Sequence, residues 1–418
     1  MTAATELRRN WGFFVFVLGS LVSLAIVAKN PVGSHYQIFV AGARLLLAGQ
    51  NPFTLEPLGA SGWWFYSPSC GLFYFSIFSI FPDRVGQFLF ILSAVMLFTW
   101  GVQLLVEKFE SRSFRNIFWL FLSSEMIGAI LNTRVELFMV GAVLVSADWL
   151  WRSSQSRWKF WGASLLLTMV TVWKLLTLPV LGLLTAVTLV KDRSLRFFTA
   201  VLASTGFWIL SPFFVKPFSY VTSTYAEWLA SMHRLVGSSQ LGDAANWTNY
   251  QHIYRFAMKM FGFSLTYNQA QVIGAITGFA LLVWLVSFAL REKRLGHDDF
   301  YCLLWALAFG SLHQNVFMPT AQSAAYVSYA PLLFGALLLW SRAQGKWRYI
   351  LLATNLFSYF FVSLAYSDFV PKSFRAVIWT GAYKPMGCLV LGLVCLTYLW
   401  LHPRPKSEKL LSNTNNVS

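Results

Sequence analysis

The chain has 418 residues, of which 57% are hydrophobic and only 11% charged, with a mean hydropathy of +0.57. A soluble protein of this length needs a polar shell that such a composition does not supply, so the expected class is an all-α integral membrane protein. The net charge of +16 does not point to nucleic acid, because the basic residues are scattered in twos and threes between apolar runs.

In chain order, Arg8 and Arg9 precede a first apolar run at 12–28, with no clear small-residue cleavage site after it, so it reads as an uncleaved anchor. Residues 35–50, HYQIFVAGARLLLAGQ, place Tyr36, Phe39, Val40, Ala43, Leu46 and Leu47 on one helical face, which predicts an amphipathic juxtamembrane helix. Gly49-Gln50-Asn51-Pro52 ends it. The aromatic run Trp63-Trp64-Phe65-Tyr66-Ser67-Pro68 leads into an apolar stretch, 66–82, which is expected to be re-entrant or juxtamembrane rather than spanning. Further spans are expected at 86–106, 116–131, 135–151, 160–173, 175–190, 197–213, 271–290, 300–316, 324–340, 349–366 and 385–401, twelve with the anchor. Trp11, Trp158 and Trp340 sit at the ends of such runs, as in an interfacial aromatic belt.

With twelve spans, basic clusters at Arg8/Arg9, 108–115, 152–159, 191–196, 291–294, 342–348 and 404–409 fall on one side and hold 20 of the 32 Lys and Arg residues. Basic loops stay cytoplasmic, so both termini are expected inside, in a plasma or inner membrane. The whole chain, 1–418, then forms one transmembrane domain with two long outer loops, 29–85 and 214–270. The four cysteines, Cys70, Cys302, Cys388 and Cys395, lie inside apolar runs without metal-ligand spacing and read as small buried hydrophobes.

Ionisable groups near span ends are the candidate functional residues, since an unpaired charge in the bilayer costs about 2.5–3.5 kcal/mol and needs a partner or a task. Arg134 and Glu136 share the short turn between two spans, where they form either a turn salt bridge or a phosphate and sugar contact. Lys174 lies between two apolar half-spans, either snorkelling or meeting a lipid phosphate. Glu125 and Asp148 also fall within spans, Asp148 near the cytoplasmic end. His313-Gln314-Asn315 closes the outer end of one span, and a lone His there commonly satisfies a helix end. Asp243, His252, Arg255 and Lys259 lie in the second long loop among Tyr220, Tyr225, Trp228, Trp247, Tyr250 and Tyr254, rings that suit either sugars or an interface. There is no Gly-rich phosphate loop, no Asp-x-Asp element and no His cluster with metal spacing, so no cofactor is expected.

The segments HYQIFVAGARLLLAGQNPF, WWFYSPSCGLFYFSIFSIFP and GASLLLTMVTVWKLLTLPVLGLLTAVTLVKDRSLR, in that order, resemble the family-87 glycosyltransferases, a group that includes polyprenyl-phosphate-mannose-dependent mannosyltransferases. Ala43 to Phe53 and Phe65-Tyr66-Ser67-Pro68 carry the first-loop pattern, and Lys174 with Pro179 sits at the expected kink. Three elements depart from the family's pattern. His35 stands where an Asp base is expected, Thr133-Arg134-Val135-Glu136 replaces a Gly-Gln-x-Asn element, and Tyr250-Gln251-His252 replaces Asn-Gln-Ser. The resemblance implies a GT-C-like bundle that transfers mannose or another hexose, with inversion, from a polyprenyl-phosphate-linked donor to a lipid or glycan acceptor on the extracytoplasmic face. It implies a base among His35, Glu136 and Asp243, and donor contacts among Arg134, Lys174, Gln251, His252, Lys259 and His313. Two rival readings are a polytopic lipid or solute transporter, disfavoured by the lack of paired halves, and an inactive relative serving as a scaffold, suggested by the three altered elements.

Overall fold

The computed structural model describes residues 10–53, 66–109, 111–152, 156–192, 195–237, 252–263, 265–295, 299–318, 323–366 and 370–402. Within them every regular element is helical, as expected where backbone N–H and C=O groups find no water and must pair within their own segment.

The first helices are α1 (Trp11–Lys29), α2 (Ser34–Leu47) and a short composite α3 built from Pro68–Cys70, a π-helical turn Gly71–Phe75, and Ser76–Ser79. Then come α4 (Asp83–Val106), α5 (Arg112–Leu131), α6 (Glu136–Trp151), α7 (Arg157–Trp173), α8 (Leu178–Asp192) and α9 (Arg196–Leu210). The second half holds α10 (Phe218–Gly237), α11 (Ile253–Phe261), α12 (Tyr267–Arg294), α13 (Asp299–Phe317), α14 (Ala330–Arg342), α15 (Lys346–Val362), α16 (Lys372–Gly381) and α17 (Lys384–Leu401).

Among the described residues, six helical segments are long and apolar enough to cross a membrane: α1, α4, α5, Arg196–Phe214, α12 and α17. Their outer faces carry Leu21, Leu202, Ile276 and Phe279 more than half exposed, a surface suited to lipid and not to water. The other expected spans also fold as helices, but α6, α7, α8, α14 and α15 have only 13 to 17 residues. The pieces of α3 have 3, 5 and 4 residues. At 1.5 Å per residue they reach about 18 Å, well short of a bilayer core of about 30 Å.

The core lies along α13, whose residues from Tyr301 to Val316 are all buried, with Trp305 fully enclosed. This helix is apolar around its circumference because neighbours surround it: α8, α14, α12 and α17. Small residues set the close approaches, as they do where lipid tails leave packing as the main driving force. A Cβ on Gly141 of α6 would lie 2.6 Å from the backbone nitrogen of Phe98 on α4, and one on Gly310 would lie 2.8 Å from Cα of Val180 on α8. The charge at Glu125, inside α5, is met by Lys384 at the start of α17, at 2.9 and 3.1 Å, and both side chains are buried. Asp148 pairs with Arg152 one turn on, at 3.0 Å.

The chain passes back and forth, so helix ends gather at two levels. One level collects the end of α1, the start of α2, the start of α4, the α5–α6 turn and the end of α7. The opposite level collects Lys108, Arg112, Arg115, Arg152, Arg157 and Lys159. At the first level, Tyr74 of α3 stacks on Trp173 at 4.9 Å and meets Phe138 at 4.5 Å. Lys216 and Tyr220, beside and within α10, donate to the Leu47 and Gln50 carbonyls at the end of α2, binding the two long loop segments to each other.

Candidate functional site

Three breaks in the helical ladder build the site. The first is the turn after α5. Its last residues end in a Schellman arrangement, with Thr133 N–H donating to Ile130 O at 2.9 Å and Arg134 N–H to Ala129 O at 3.0 Å. Glycine commonly fills the left-handed position of this motif, yet Thr133 occupies it at φ 51°. A β-branched residue there carries about 1–2 kcal/mol of strain. The turn sets Arg134, buried, and Glu136, buried at the first residue of α6, at the same end of the bundle.

The second break lies between α7 and α8. Lys174 leaves the helix in an extended conformation (φ −147°, ψ 109°) and a 3₁₀ turn, Leu175–Thr177, follows. Pro179 has no N–H for a carbonyl four residues back, so an unbroken helix through Lys174 would lose a bond here. Freed from the helix, the Lys174 ammonium donates to Glu136 Oε1 at 2.6 Å. The Tyr66 ring lies 5.5 Å from the same ammonium, within cation–π range. Tyr66 is held by its neighbours: Ser67 N–H donates to Trp173 O at 3.2 Å, and the Ser67 hydroxyl accepts from Cys70 N–H, capping α3. Burial, foremost, pushes the Tyr66 hydroxyl well above its ordinary pKa, with Glu136 adding to the effect.

The third break is the α1–α2 corner. Gly33 caps α2 in an extended conformation, and His35 follows two residues on. Gln87 of α4 is buried and spans the gap, accepting from Gly33 N–H at 3.1 Å and donating to Thr133 Oγ1 at 3.3 Å. His35 is thereby held near the Arg134 turn. Burial lowers its pKa to about 4, Arg134 and Lys174 push the same way, and Glu136 opposes them. The imidazole is therefore neutral at physiological pH, and it feels all three charged members of the cluster.

The structure thus brings His35, Arg134, Glu136 and Lys174 together. It sets His252, Lys259 and His313 elsewhere. His252 caps α11, its Nδ1 accepting from Arg255 N–H at 3.2 Å, and burial with Arg255 beside it lowers its pKa to about 3. Lys259 is exposed on α11, which packs on α13, α16 and α17. His313 is buried with Nε2 2.7 Å from Gly274 O on α12. A mostly apolar cavity of about 810 Å³ is lined by residues from Leu178 and Pro179, four and five positions after Lys174, to Gly274 and His313. Asp243 and Gln251 lie outside the described residues. No group of three or more His, Cys, Asp or Glu among the described residues has metal-binding geometry, and the described cysteines are free and buried. Nothing in the sequence marks Gln87 or Thr133 as linking residues: Thr133 stands inside the Thr133–Glu136 element without a signal of its own, and an isolated Gln inside an apolar run carries no sign of its distant partner.

A neutral imidazole, two cations and one carboxylate at the helix ends of an apolar bundle define a helical membrane protein with a buried charged cluster. The chain belongs to glycosyltransferase family 87, whose family model matches residues 64–318, and is therefore a membrane glycosyltransferase. The match takes in Tyr66, Arg134, Glu136, Lys174, His252 and His313, whereas His35 precedes it. No curated protein matches the chain.

Proposed function

We propose that this protein transfers a hexose, mannose being the first candidate, from a polyprenyl-phosphate-linked donor to a lipid or glycan acceptor on the extracytoplasmic face. The observation that carries this reading is the Lys174–Glu136 pair set beside Arg134 and His35. Two cations at one point suit a departing phosphate, and the adjoining apolar cavity suits the chain attached to it. His35 takes the proton from an acceptor hydroxyl, whose oxygen then forms a bond to the anomeric carbon. The bond from that carbon to the phosphate oxygen breaks, and its electron pair leaves with the phosphate, neutralised by Arg134 and Lys174. A single displacement of this kind inverts the anomeric centre. Glu136 keeps Lys174 in place rather than serving as base, because its carboxylate is already engaged by the ammonium. The basic loops at the opposite level support a cytoplasmic assignment for that level and for both termini. We further propose that the buried helix α13 and the shorter helices α6, α7, α8, α14 and α15 complete a bundle of twelve crossings, tilted or enclosed among the others, as in the GT-C architecture.

The test is transfer by purified protein in proteoliposomes, offered polyprenyl-phosphate-linked hexoses or nucleotide sugars with lipid extracts as acceptors. Product with inverted linkage from the lipid-linked donor is expected, and His35→Ala should lower the rate by about 10²-fold or more. Transfer only from nucleotide sugars would overturn the donor assignment. A His35→Ala rate equal to wild type would remove His35 as the base.

A further inference from the structure

A second polar pocket lies at the opposite level, beyond the far end of α5 from Arg134. With 20 residues, α5 separates the two by about 30 Å. This cavity, about 150 Å³, is lined by Lys108, Phe109, Ser111, Phe114, Ser341 and Arg342, with Leu338. Its donors come from separate elements: the α4–α5 turn and the end of α14. The Arg342 guanidinium buries Nη1 without a hydrogen-bond partner. Lys108 lines the pocket and holds its ammonium 3.6 Å from the Trp151 ring centre, with the Asp148 charge of α6 also within its reach. Ser111 caps α5, yet its side chain accepts nothing from the first turn. The N–H groups at that helix start therefore point outward with their partial positive charge. Phe109 forms a rigid wall, packed on Phe334 at 4.4 Å, and its carbonyl accepts from Arg115 at 2.6 and 2.8 Å. No carboxylate lines the pocket among the described residues, and nearby Glu107 accepts from Gln103 on its own helix.

We infer that this pocket, formed by Lys108, Ser111, Ser341 and Arg342, binds one phosphate group, separately from the transfer site. A buried guanidinium nitrogen lacking an acceptor, the Lys108 side chain and the Ser111 hydroxyl line one small cavity, donors of the kind a tetrahedral oxyanion takes, while the Ser341 hydroxyl donates to Leu338 O at 2.8 Å and offers its oxygen edge to the same space. The volume falls below that of ordinary small-molecule sites, so a single phosphate with one substituent fits and a nucleotide does not. The group comes either from an anionic lipid headgroup or from a soluble phosphate.

The experiment follows thermal unfolding of the full chain. In detergent the probe is inorganic phosphate against chloride at equal ionic strength. In nanodiscs the probe is phosphatidylglycerol against phosphatidylcholine. Wild type should be stabilised by at least one probe. Arg342→Gln should weaken that response by about tenfold or more in apparent affinity, the worth of one charge-assisted hydrogen bond, while Arg342→Lys keeps part of it. A response to phosphatidylglycerol alone assigns the lipid source, and one to phosphate alone the soluble source. If Arg342→Gln folds poorly, Ser111→Ala removes one donor, leaves the charges, and should show a smaller loss. His35→Ala should respond as wild type does, since the pocket stands apart from the transfer site. No response in wild type to either probe, or an undiminished one in the folded pocket variants, would overturn the inference.

Discussion

The Lys174 ammonium rests 2.6 Å from the Glu136 carboxylate, across 38 residues of sequence, where the end of one helix meets the start of another. Glu136 is almost fully enclosed and Lys174 retains 19% side-chain exposure. Each charge makes the other tolerable at that depth, and together they hold a cation ready beside Arg134 and His35. Removing one partner leaves the other uncompensated, which costs about 3–5 kcal/mol for a buried pair and less where water reaches one member. Glu136→Gln and Lys174→Gln should each lower thermal stability and transfer rate. The double variant should be less destabilised than the sum of the singles, and a double-mutant cycle in detergent reads that coupling. Additive losses would mean the pair does not act as a unit.

His35 offers a pH signature. Its folded pKa of about 4 lies below the ordinary 6.5. Between those values the unfolded chain takes up a proton that the native state does not, so stability should fall as pH drops from 6.5 to 4 and this contribution should level off below 4. The same shift places the acidic limb of kcat/KM near pH 4 instead of near 6.5. His35→Gln should reduce the stability slope across that window, the buried His252 keeping its own share, and an unchanged slope would assign the pH dependence to other groups.

Gln87 is predicted to be a positioning residue. It touches both Gly33 and Thr133 and so sets the distance between the helix that carries His35 and the turn that carries Arg134. Gln87→Ala should cost about 1–3 kcal/mol, because a half-buried N–H and a buried hydroxyl lose their partner. Kinetically it should lower kcat more than it raises KM, whereas a purely structural role would lower only the amount of folded protein.

Gly141 gives a packing test. A methyl group there meets backbone atoms of Leu97 and Phe98 at 2.6 to 2.8 Å, and backbone cannot swing aside as a side chain can. Gly141→Ala should destabilise by about 1–3 kcal/mol through overpacking. Gly206→Ala, in a helix where a new Cβ meets nothing within 4 Å, should be neutral or slightly stabilising. Equal effects from the two would show that α4 and α6 do not pack at this crossing.

The sequence by itself determined the class of protein and much of its local grammar. Apolar runs without charges specify helices in lipid because hydropathy adds up along the chain and needs no partner. Gly49 and Pro52 end α2 near the place their backbone chemistry dictates, and Pro179 marks the break beside Lys174. The Phe65–Pro68 and Lys174–Pro179 motifs that resemble the family lie inside the matched residues 64–318, whereas the Ala43–Phe53 stretch precedes them. Only the tertiary structure decided how many runs are long enough to span by themselves, that Glu125 meets Lys384 from 259 residues away, and that His35, Arg134, Glu136 and Lys174 converge while His313 turns to Gly274. The physical reason is that which helix ends meet depends on crossings between distant helices, set by shape at glycines such as Gly141 and Gly310. Shape complementarity between two surfaces leaves no periodic trace in either strand of sequence.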